Sequence, residues 1–254
     1  MKALLPIPVR AHRNAEHSRR AILKAAKREF AELGVDGART DSIARSAGVN
    51  KALLYYYFHN KESLYGAVLD DVFSARFQGF KKILDSPLAP GEKILRFARQ
   101  HFDYVTGQDC YPRLVQYEMM RASRGASKHL PRLVESFFAP LMREVTAIIR
   151  RGIAERQFRA VDPGHLMLSI VGVNVFHVLS APVRKAMSQT KDRISDSVAE
   201  RRAATLDFIA ASIFSDRDEG IRLAASIVAE PAMPASTPRP MPGASQPAIR
   251  GHRK

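Results

Sequence analysis

The sequence predicts an all-α fold in which a three-helix head with a helix-turn-helix precedes a larger helical body. Apolar residues recur every three or four positions along most of the chain, which is the spacing of one helix face. No stretch alternates apolar and polar residues between the turn signals that bound strands. Good capping residues, among them Asn50, Asn60 and Asp162, stand directly before successive apolar runs. These observations indicate helices throughout.

The N-terminal end is predicted to be a basic arm followed by one long helix. Residues 1–17 are irregular and basic, so they form either a flexible arm or an ordinary disordered terminus. Ser18 is suited to cap a helix that runs through Leu33, and Gly34 ends it. One face of this helix is apolar and the other is basic. The basic face is either solvated or in contact with phosphate.

Residues 40–61 have the pattern of two short helices joined at a glycine. Thr40 can cap the first helix, Gly48 supplies the turn, and Asn50 can cap a second helix that is short, aromatic and basic. This pattern is typical of a helix-turn-helix, whose second helix enters the DNA major groove. We therefore predict a helix-turn-helix DNA-binding domain at residues 18–62.

Residues 63–216 are predicted to form the helical body. A helix capped by Asn60 runs to the break at residues 87–91 and joins the head to the body. The apolar-periodic segments after the break cover residues 92–106, 112–123, 127–156, 162–187 and 195–214. Pro140 must kink or divide the third of these segments, residues 127–156.

The segment that begins at Pro163 is apolar on two faces. One stripe contains Leu166, Ile170, Val173 and His177, and the other contains Leu168, Val171, Val175 and Leu179. One face can pack on the core, and the other most simply packs on a second subunit, in a two-fold interface built from this helix and the last one. Residues 163–183 also have about the length of a membrane span and no charged residue. Their His, Asn and Gly residues favour a buried or interface helix instead.

Composition constrains the partners and the compartment. The formal charge of +15, from 40 basic and 25 acidic residues, favours an anionic partner such as nucleic acid or an acidic membrane surface. The single cysteine, Cys110, rules out an internal disulfide framework and is expected to be a buried small hydrophobic residue. The apolar run at the N-terminus is short and interrupted by prolines, so we expect no signal peptide and a cytoplasmic protein.

Residues 217–254 are predicted to be a mostly disordered, Pro-rich, basic tail. From Pro231 onward, prolines stand among small polar and basic residues, with no acidic residue. Such a composition cannot bury enough apolar surface to order itself. The tail either adds weak, salt-sensitive attraction to DNA or plays no part in binding.

One set of residues in the head keeps a specific register. It comprises Ile22, Ala25, Ala26, Phe30, Gly34, Thr40, Ile43, Ala44, Ala47, Gly48, Val49, Leu54, Tyr55, Phe58 and Lys61. In this register residues 18–61 resemble the TetR family of bacterial transcriptional regulators. Asn50 stands where the family often has serine, and Ala52 where glycine is common. The body resembles the family only in helix number and in the junction at residues 157–163.

The resemblance implies a homodimer that places one helix per subunit in each half of a palindromic operator. It also implies that a small, partly apolar molecule binds among the downstream helices and changes the spacing of the two heads. Most of the predicted DNA contacts are implied by family positions. Ala52 and Leu53 are added because their side chains are suited to thymine methyl groups. The predicted contacts are Thr40, Asn50, Lys51, Ala52, Leu53, Tyr55, Tyr56, Tyr57 and Lys61.

Individual roles follow from side-chain chemistry. Lys51 can donate to guanine edges or phosphate, and Lys61 to phosphate alone. Three successive tyrosines cannot all face outward on a helix, so we assign Leu54 and Phe58 to the core and expect Tyr55 to be partly buried.

Pocket candidates are apolar and polar residues of the predicted body helices. They are Phe97, His101, Tyr104, Tyr117, Met120, Phe137, Asn174 and His177. The sequence shows no metal-ligand histidine pair, glycine-rich phosphate loop or nucleophile setting, so we expect no cofactor, metal, membrane partner or catalysis. The resulting interpretation is a ligand-responsive transcriptional repressor. The alternatives are a helical enzyme or small-molecule-binding protein with an incidental basic surface, and a sequence-independent nucleoid binder.

Overall fold

The computed structural model describes residues 9–107, 110–187 and 195–231, and for residues 9–14 it describes the backbone only. Within these residues the regular elements are all helical, and the nearest approach to a sheet is an isolated antiparallel bridge between Phe158 and Phe214. The predicted all-α fold is confirmed.

The head consists of α1 (Val9–Gly37), α2 (Thr40–Ser46) and α3 (Lys51–Phe58). Helix α1 begins nine residues before Ser18, so the predicted cap is wrong. Residues 9–17 of the predicted arm are helical, and residues 1–8 lie outside the described chain. Good helix formers in this segment and the Glu16–Arg20 ion pair favour the extension. Gly34 interrupts α1 at φ 66°, where the sequence predicts its end.

Helix α4 (Lys61–Leu84) connects the head to the body. The Asn60 side chain accepts a hydrogen bond from the Ser63 N–H at 2.8 Å, which confirms the predicted cap. The first turns of α4 complete the core of the head, where they pack on α1. The buried residues of this core include Ile22, Ala26, Phe30, Ile43, Leu54, Phe58, Leu64 and Tyr65.

The body is built around α5 (Pro90–Thr106), which contacts α4, α8, α9, α11 and α12. Its other helices are α6 (Tyr111–Ser123), α7 (Leu130–Leu133), α8 (Ala139–Ala154), α9 (Pro163–Leu179), α10 (Ala181–Met187), α11 (Val198–Ile213) and α12 (Arg217–Ala229). A π-helical turn, Val134–Phe138, separates α7 from α8 directly before Pro140. The predicted interruption near this proline is therefore present. Asp162 caps α9 as predicted, with its carboxylate 2.8 Å from the His165 nitrogen.

Helix α12 contradicts the predicted tail for residues 217–229. The Asp216 carboxylate caps this helix at the Asp218 and Glu219 N–H groups, and Ala224 and Ile227 are buried. Arg96 forms a two-pronged ion pair with Glu230, with both N···O distances at 2.7 Å. Arg99 donates to the carbonyls of Ile227 and Glu230. These contacts fasten the end of α12 to α5, and the rest of the predicted tail, residues 232–254, lies outside the described chain.

Helix α9 has one buried and one exposed face. The buried face consists of Met167, Ile170, Asn174 and His177, so it is rotated slightly from the predicted stripe. Helix α9 contacts α10 and α11, and we call five exposed large apolar side chains on these helices the apolar patch: Leu168, Phe176, Leu179, Val183 and Phe208. Among the described residues, only the pair α9 and α10, bent by 52°, has the combined length and apolar composition of a membrane span, and no single helix does.

Candidate nucleic-acid interface

The helix-turn-helix is held by a glycine turn and an asparagine cap. Gly48 adopts φ 67°, a region that glycine enters without steric cost. The Leu53 N–H then donates to the Asn50 side chain at 2.7 Å, which confirms Asn50 as the cap of α3. Leu54 and Phe58 are buried as predicted. Their burial fixes the opposite face of α3 toward solvent.

Asn50→Ala is expected to lower the free energy of unfolding of the head by about 0.5–2 kcal/mol, because the Leu53 N–H loses its side-chain acceptor. Urea unfolding followed by circular dichroism measures the change. Asn50→Ser keeps an acceptor and should lose much less stability than Asn50→Ala. Equal stability of the alanine variant and the wild-type protein would contradict the assigned cap.

Thr40 is not a cap, contrary to prediction. The residue at the N-cap position of α2 is Arg39, and its side chain makes no capping hydrogen bond. Instead Glu29 on α1 accepts hydrogen bonds from the Arg39 N–H at 3.2 Å and the Ser42 hydroxyl at 2.8 Å. Thr40 is buried, and its hydroxyl lies 3.1 Å from the Tyr55 hydroxyl. This hydrogen bond ties α2 to α3 in the free protein.

Lys51 projects from the first turn of α3 and pairs with Asp41 on α2. The Lys51 Nζ lies 3.0 Å from the carboxylate, and both side chains are about half exposed. The hydrogen bond and the charge of Asp41 raise the pKa of Lys51, so the ammonium stays charged. Exposed ion pairs contribute little stability, so the lysine can exchange Asp41 for a DNA acceptor at small cost.

Lys61 lies at the start of α4, where it closes the end of α1. Its Nζ donates to the carbonyls of Asp36 and Ala38, each at 3.2 Å. The ammonium therefore neutralises carbonyls at a helix C-terminus, which is a favourable position for a cation. Its predicted contact with phosphate remains a prediction, and the structure adds a positioning role.

The remaining predicted DNA contacts lie on or beside the outer face of α3. Tyr56 is 67% exposed, Ala52 is exposed, and Leu53 is half-buried. Tyr55 is 36% exposed and belongs with the exposed residues, whereas Tyr57 packs partly against the core, so the tyrosine that turns inward is Tyr57 and not the expected Tyr55. The head carries further exposed basic side chains outside α3, namely Arg19, Arg20 and Lys24 on α1, Arg39 before α2 and Arg45 on α2.

Six of the eight pocket candidates are buried in the body. Asn174 is fully buried, and its amide donates to the Ala98 carbonyl and lies 3.0 Å from the His101 Nδ1. Burial lowers the pKa of His101 to about 4, so the ring is neutral and can accept this hydrogen bond. His177 stacks on Phe102 with ring centroids 5.6 Å apart. The other three buried candidates are Phe97, Tyr104 and Phe137.

The other two candidates, Tyr117 and Met120, lie elsewhere on α6. The Tyr117 hydroxyl donates to the Glu32 carbonyl at 3.2 Å, and its ring packs on Gly34 where α1 is interrupted. Met120 is largely exposed. The eight residues therefore do not line one common cavity, and their contact with a ligand remains a prediction.

A polar cluster joins α6 to the start of α4. Glu62 accepts two hydrogen bonds from Arg121, at 3.2 and 3.3 Å, and lies 2.9 Å from the His129 Nε2. Burial acts to raise the pKa of Glu62, but Arg121 and His129 lower it below its usual value. The charged carboxylate thus fixes α6 to the helix that carries the head. Among the described residues, no group of three or more His, Cys, Asp or Glu side chains could hold a metal ion.

Comparison with protein families gives two matches. Residues 22–68 match the family described as "Bacterial regulatory proteins, tetR family". Residues 90–209 match "Tetracyclin repressor-like, C-terminal domain". The two matches coincide with the head and most of the body.

Individual proteins agree with these matches. The chain is 31% identical to the HTH-type transcriptional regulator RutR of Escherichia coli K12 over 173 residues, which cover 67% of this chain and 78% of that protein. It is 45% identical over 60 residues to the HTH-type transcriptional repressor SCO4008 of Streptomyces coelicolor, over 24% of this chain and 31% of the repressor. A transcriptional regulator structure from Saccharomonospora viridis, in complex with choline, has a TM-score of 0.65 at 19% identity and covers 79% of this chain and 99% of its own. This last likeness concerns the fold alone.

Proposed function

Because this chain belongs to the TetR family of bacterial regulatory proteins, we propose that it binds a palindromic operator as a homodimer and is released by a small molecule. The observation that carries the proposal is the geometry of α3. Its buried residues, Leu54 and Phe58, place Ala52 and Tyr56 on the opposite, exposed face, and Lys51 is exposed at the first turn. A short helix with this exposed face suits the major groove.

The apolar patch supports the homodimer. Phe176 on α9 and Phe208 on α11 are 67% and 59% exposed in the single chain. Exposed large apolar side chains on contacting helices are typical of interaction surfaces, and two helices from each subunit form a natural two-fold interface. In such a dimer the two α3 helices reach half-sites about 34 Å apart, one turn of DNA.

Regulation follows if a ligand binds more tightly to a dimer whose heads no longer match that spacing. We favour repression over activation, and relatives such as SCO4008 and KstR2 of Mycolicibacterium smegmatis are described as repressors. In this proposal the protein acts in the cytoplasm by binding and has no catalytic step.

Lys51→Ala is expected to weaken operator binding by about tenfold or more and to relax base preference at one position, because Lys51 reaches a base edge. Lys61→Ala is expected to weaken binding to all DNA sequences alike and to reduce the slope of log affinity against log salt by about one. Fluorescence anisotropy with DNA from the chain's own gene region, and with random DNA, measures both effects.

Lys82→Ala is the matched control, since Lys82 is exposed near the far end of α4. Circular dichroism should accompany Lys61→Ala, because that variant also loses two hydrogen bonds to α1. Unchanged affinity of both head variants for operator and random DNA would refute the assigned interface. Equal wild-type affinity for operator and random DNA would instead indicate sequence-independent binding.

A further inference from the structure

A cleft of about 690 Å³ opens between the head and the body. It lies between α1, the end of α5, the start of α6, the α9–α10 corner and the start of α11. This volume is within the range of small-molecule sites in proteins. The cleft is separate from the buried pocket candidates, of which only His177 reaches its wall.

The described wall of the cleft is strongly basic. It contains Arg28 from α1, Arg113 from α6 and Arg184 from α10, against one acidic residue, Glu32. Arg184 is already engaged, because it pairs with Asp196 at 3.3 Å and donates to the His177 carbonyl and to the Ser180 hydroxyl. Arg28 and Arg113 are exposed and make no hydrogen bond or ion pair with any residue in the described part of the chain. Their guanidinium groups remain available to an anion.

Part of the cleft wall is apolar. Val105 at the end of α5, Val178 in α9 and Val198 at the start of α11 line the cleft. A purely inorganic anion would leave these side chains unused. An anionic group joined to a hydrocarbon body would use both kinds of surface, since guanidinium forks bind carboxylates in a two-pronged manner.

We propose that this cleft binds a small amphipathic carboxylate and that this ligand is the effector. The carboxylate lies between Arg28 and Arg113, and the hydrocarbon part packs on the valines. The effector role, unlike the binding site itself, rests on the proposed regulatory function.

Helix α6 provides the connection to the head. Its first residues line the cleft, Tyr117 farther along holds α1 at Glu32, and Arg121 holds α4 at Glu62. A ligand that draws Arg113 toward Arg28 shifts α6 relative to α1. The same shift changes both contacts that orient the head.

Isothermal titration calorimetry with octanoate tests the site, and octanamide and octylamine serve as neutral and cationic analogues. Octanoate should bind, and both analogues should bind at least tenfold more weakly. Arg113→Gln should weaken octanoate binding about tenfold through the loss of charge-assisted hydrogen bonds, and Arg113→Lys should weaken it less. Arg143→Gln, an exposed arginine on α8 outside the cleft, should bind octanoate as the wild type does.

Three results would overturn the site: no octanoate binding at millimolar concentration, equal binding of octylamine, or full affinity in Arg113→Gln. Operator binding, measured separately, should weaken with octanoate for the wild-type protein, and Arg113→Gln should need about tenfold more octanoate for the same effect. Operator binding that ignores bound octanoate would overturn the effector role. A protein that binds octanoate through Arg113 but never binds operator would support the site and contradict the proposed function.

Discussion

If the chain forms the proposed homodimer, Phe176→Glu is expected to convert it to monomers and to weaken binding to a palindromic operator about 100-fold or more. Phe176 is the most exposed member of the apolar patch, together with Leu168, Leu179, Val183 and Phe208. In a two-fold interface each substitution introduces two carboxylates into an apolar contact, where an unpaired charge is costly. The two heads then bind their half-sites independently, and the effective concentration that links them is lost.

Size-exclusion chromatography with light scattering gives the mass, and anisotropy on full and half operators gives the affinities. Val134→Glu, at an exposed apolar position on the π-helical turn, is the matched control and should stay dimeric. Affinity for a half operator should be the same for Phe176→Glu and the wild type. A dimeric Phe176→Glu protein at micromolar concentration would show that the subunits associate through another surface.

Leu54→Ala is expected to lower the free energy of unfolding of the head by about 2–5 kcal/mol. Leu54 is 0% exposed and packs in the core that α1, α2 and α4 share with α3. Truncation removes buried apolar surface and leaves a cavity, because closely packed neighbours relax only in part. With α3 no longer fixed, operator affinity should fall steeply, whereas the mass of the protein in solution should equal that of the wild type.

Leu53→Ala is the matched control, since Leu53 is the preceding residue on α3 and is only half-buried. It should lose much less stability, and any change in affinity should depend on the base that Leu53 faces. Urea unfolding monitored by tyrosine fluorescence and circular dichroism measures both variants. Similar stability losses in the two variants would contradict the orientation of α3.

Features set by residues close in sequence were predictable. The caps formed by Asn50, Asn60 and Asp162 each join a side chain to a backbone N–H three residues later. The turn at Gly48 and the interruption near Pro140 likewise depend on the conformational limits of a single residue. Such local rules hold whatever the surrounding fold.

Features set by distant contacts were not predictable. The N-terminus of α2 is satisfied by Glu29 from another helix, so the local rule that favoured Thr40 did not apply. Asp41 and Glu62 likewise pair with residues of other helices, Lys51 and Arg121. The charge pattern of one helix does not reveal which side chain of another helix it meets.

The C-terminal end of the helical region was also extended by packing. Helix α12 is short and Ala-rich, and it is held by Arg96 and Arg99, more than a hundred residues earlier. The sequence of α12 indicates a helix less strongly than the prolines after it indicate an irregular tail. The pocket candidates could not be assigned from the sequence for a similar reason. Apolar residues at helical spacing identify a buried helix face, but they do not show whether protein or ligand covers that face.

The length of α4 makes the position of the head sensitive to small movements of the body. Its 24 residues span about 36 Å, with the head at one end and the turn into α5 at the other. A tilt of about 5° at the far end swings the head by about 3 Å, close to the ~3.4 Å rise of one base step. If the chain binds its operator as proposed, helix α4 acts as a lever arm, and a movement of this size in the body places α3 about one base pair out of register.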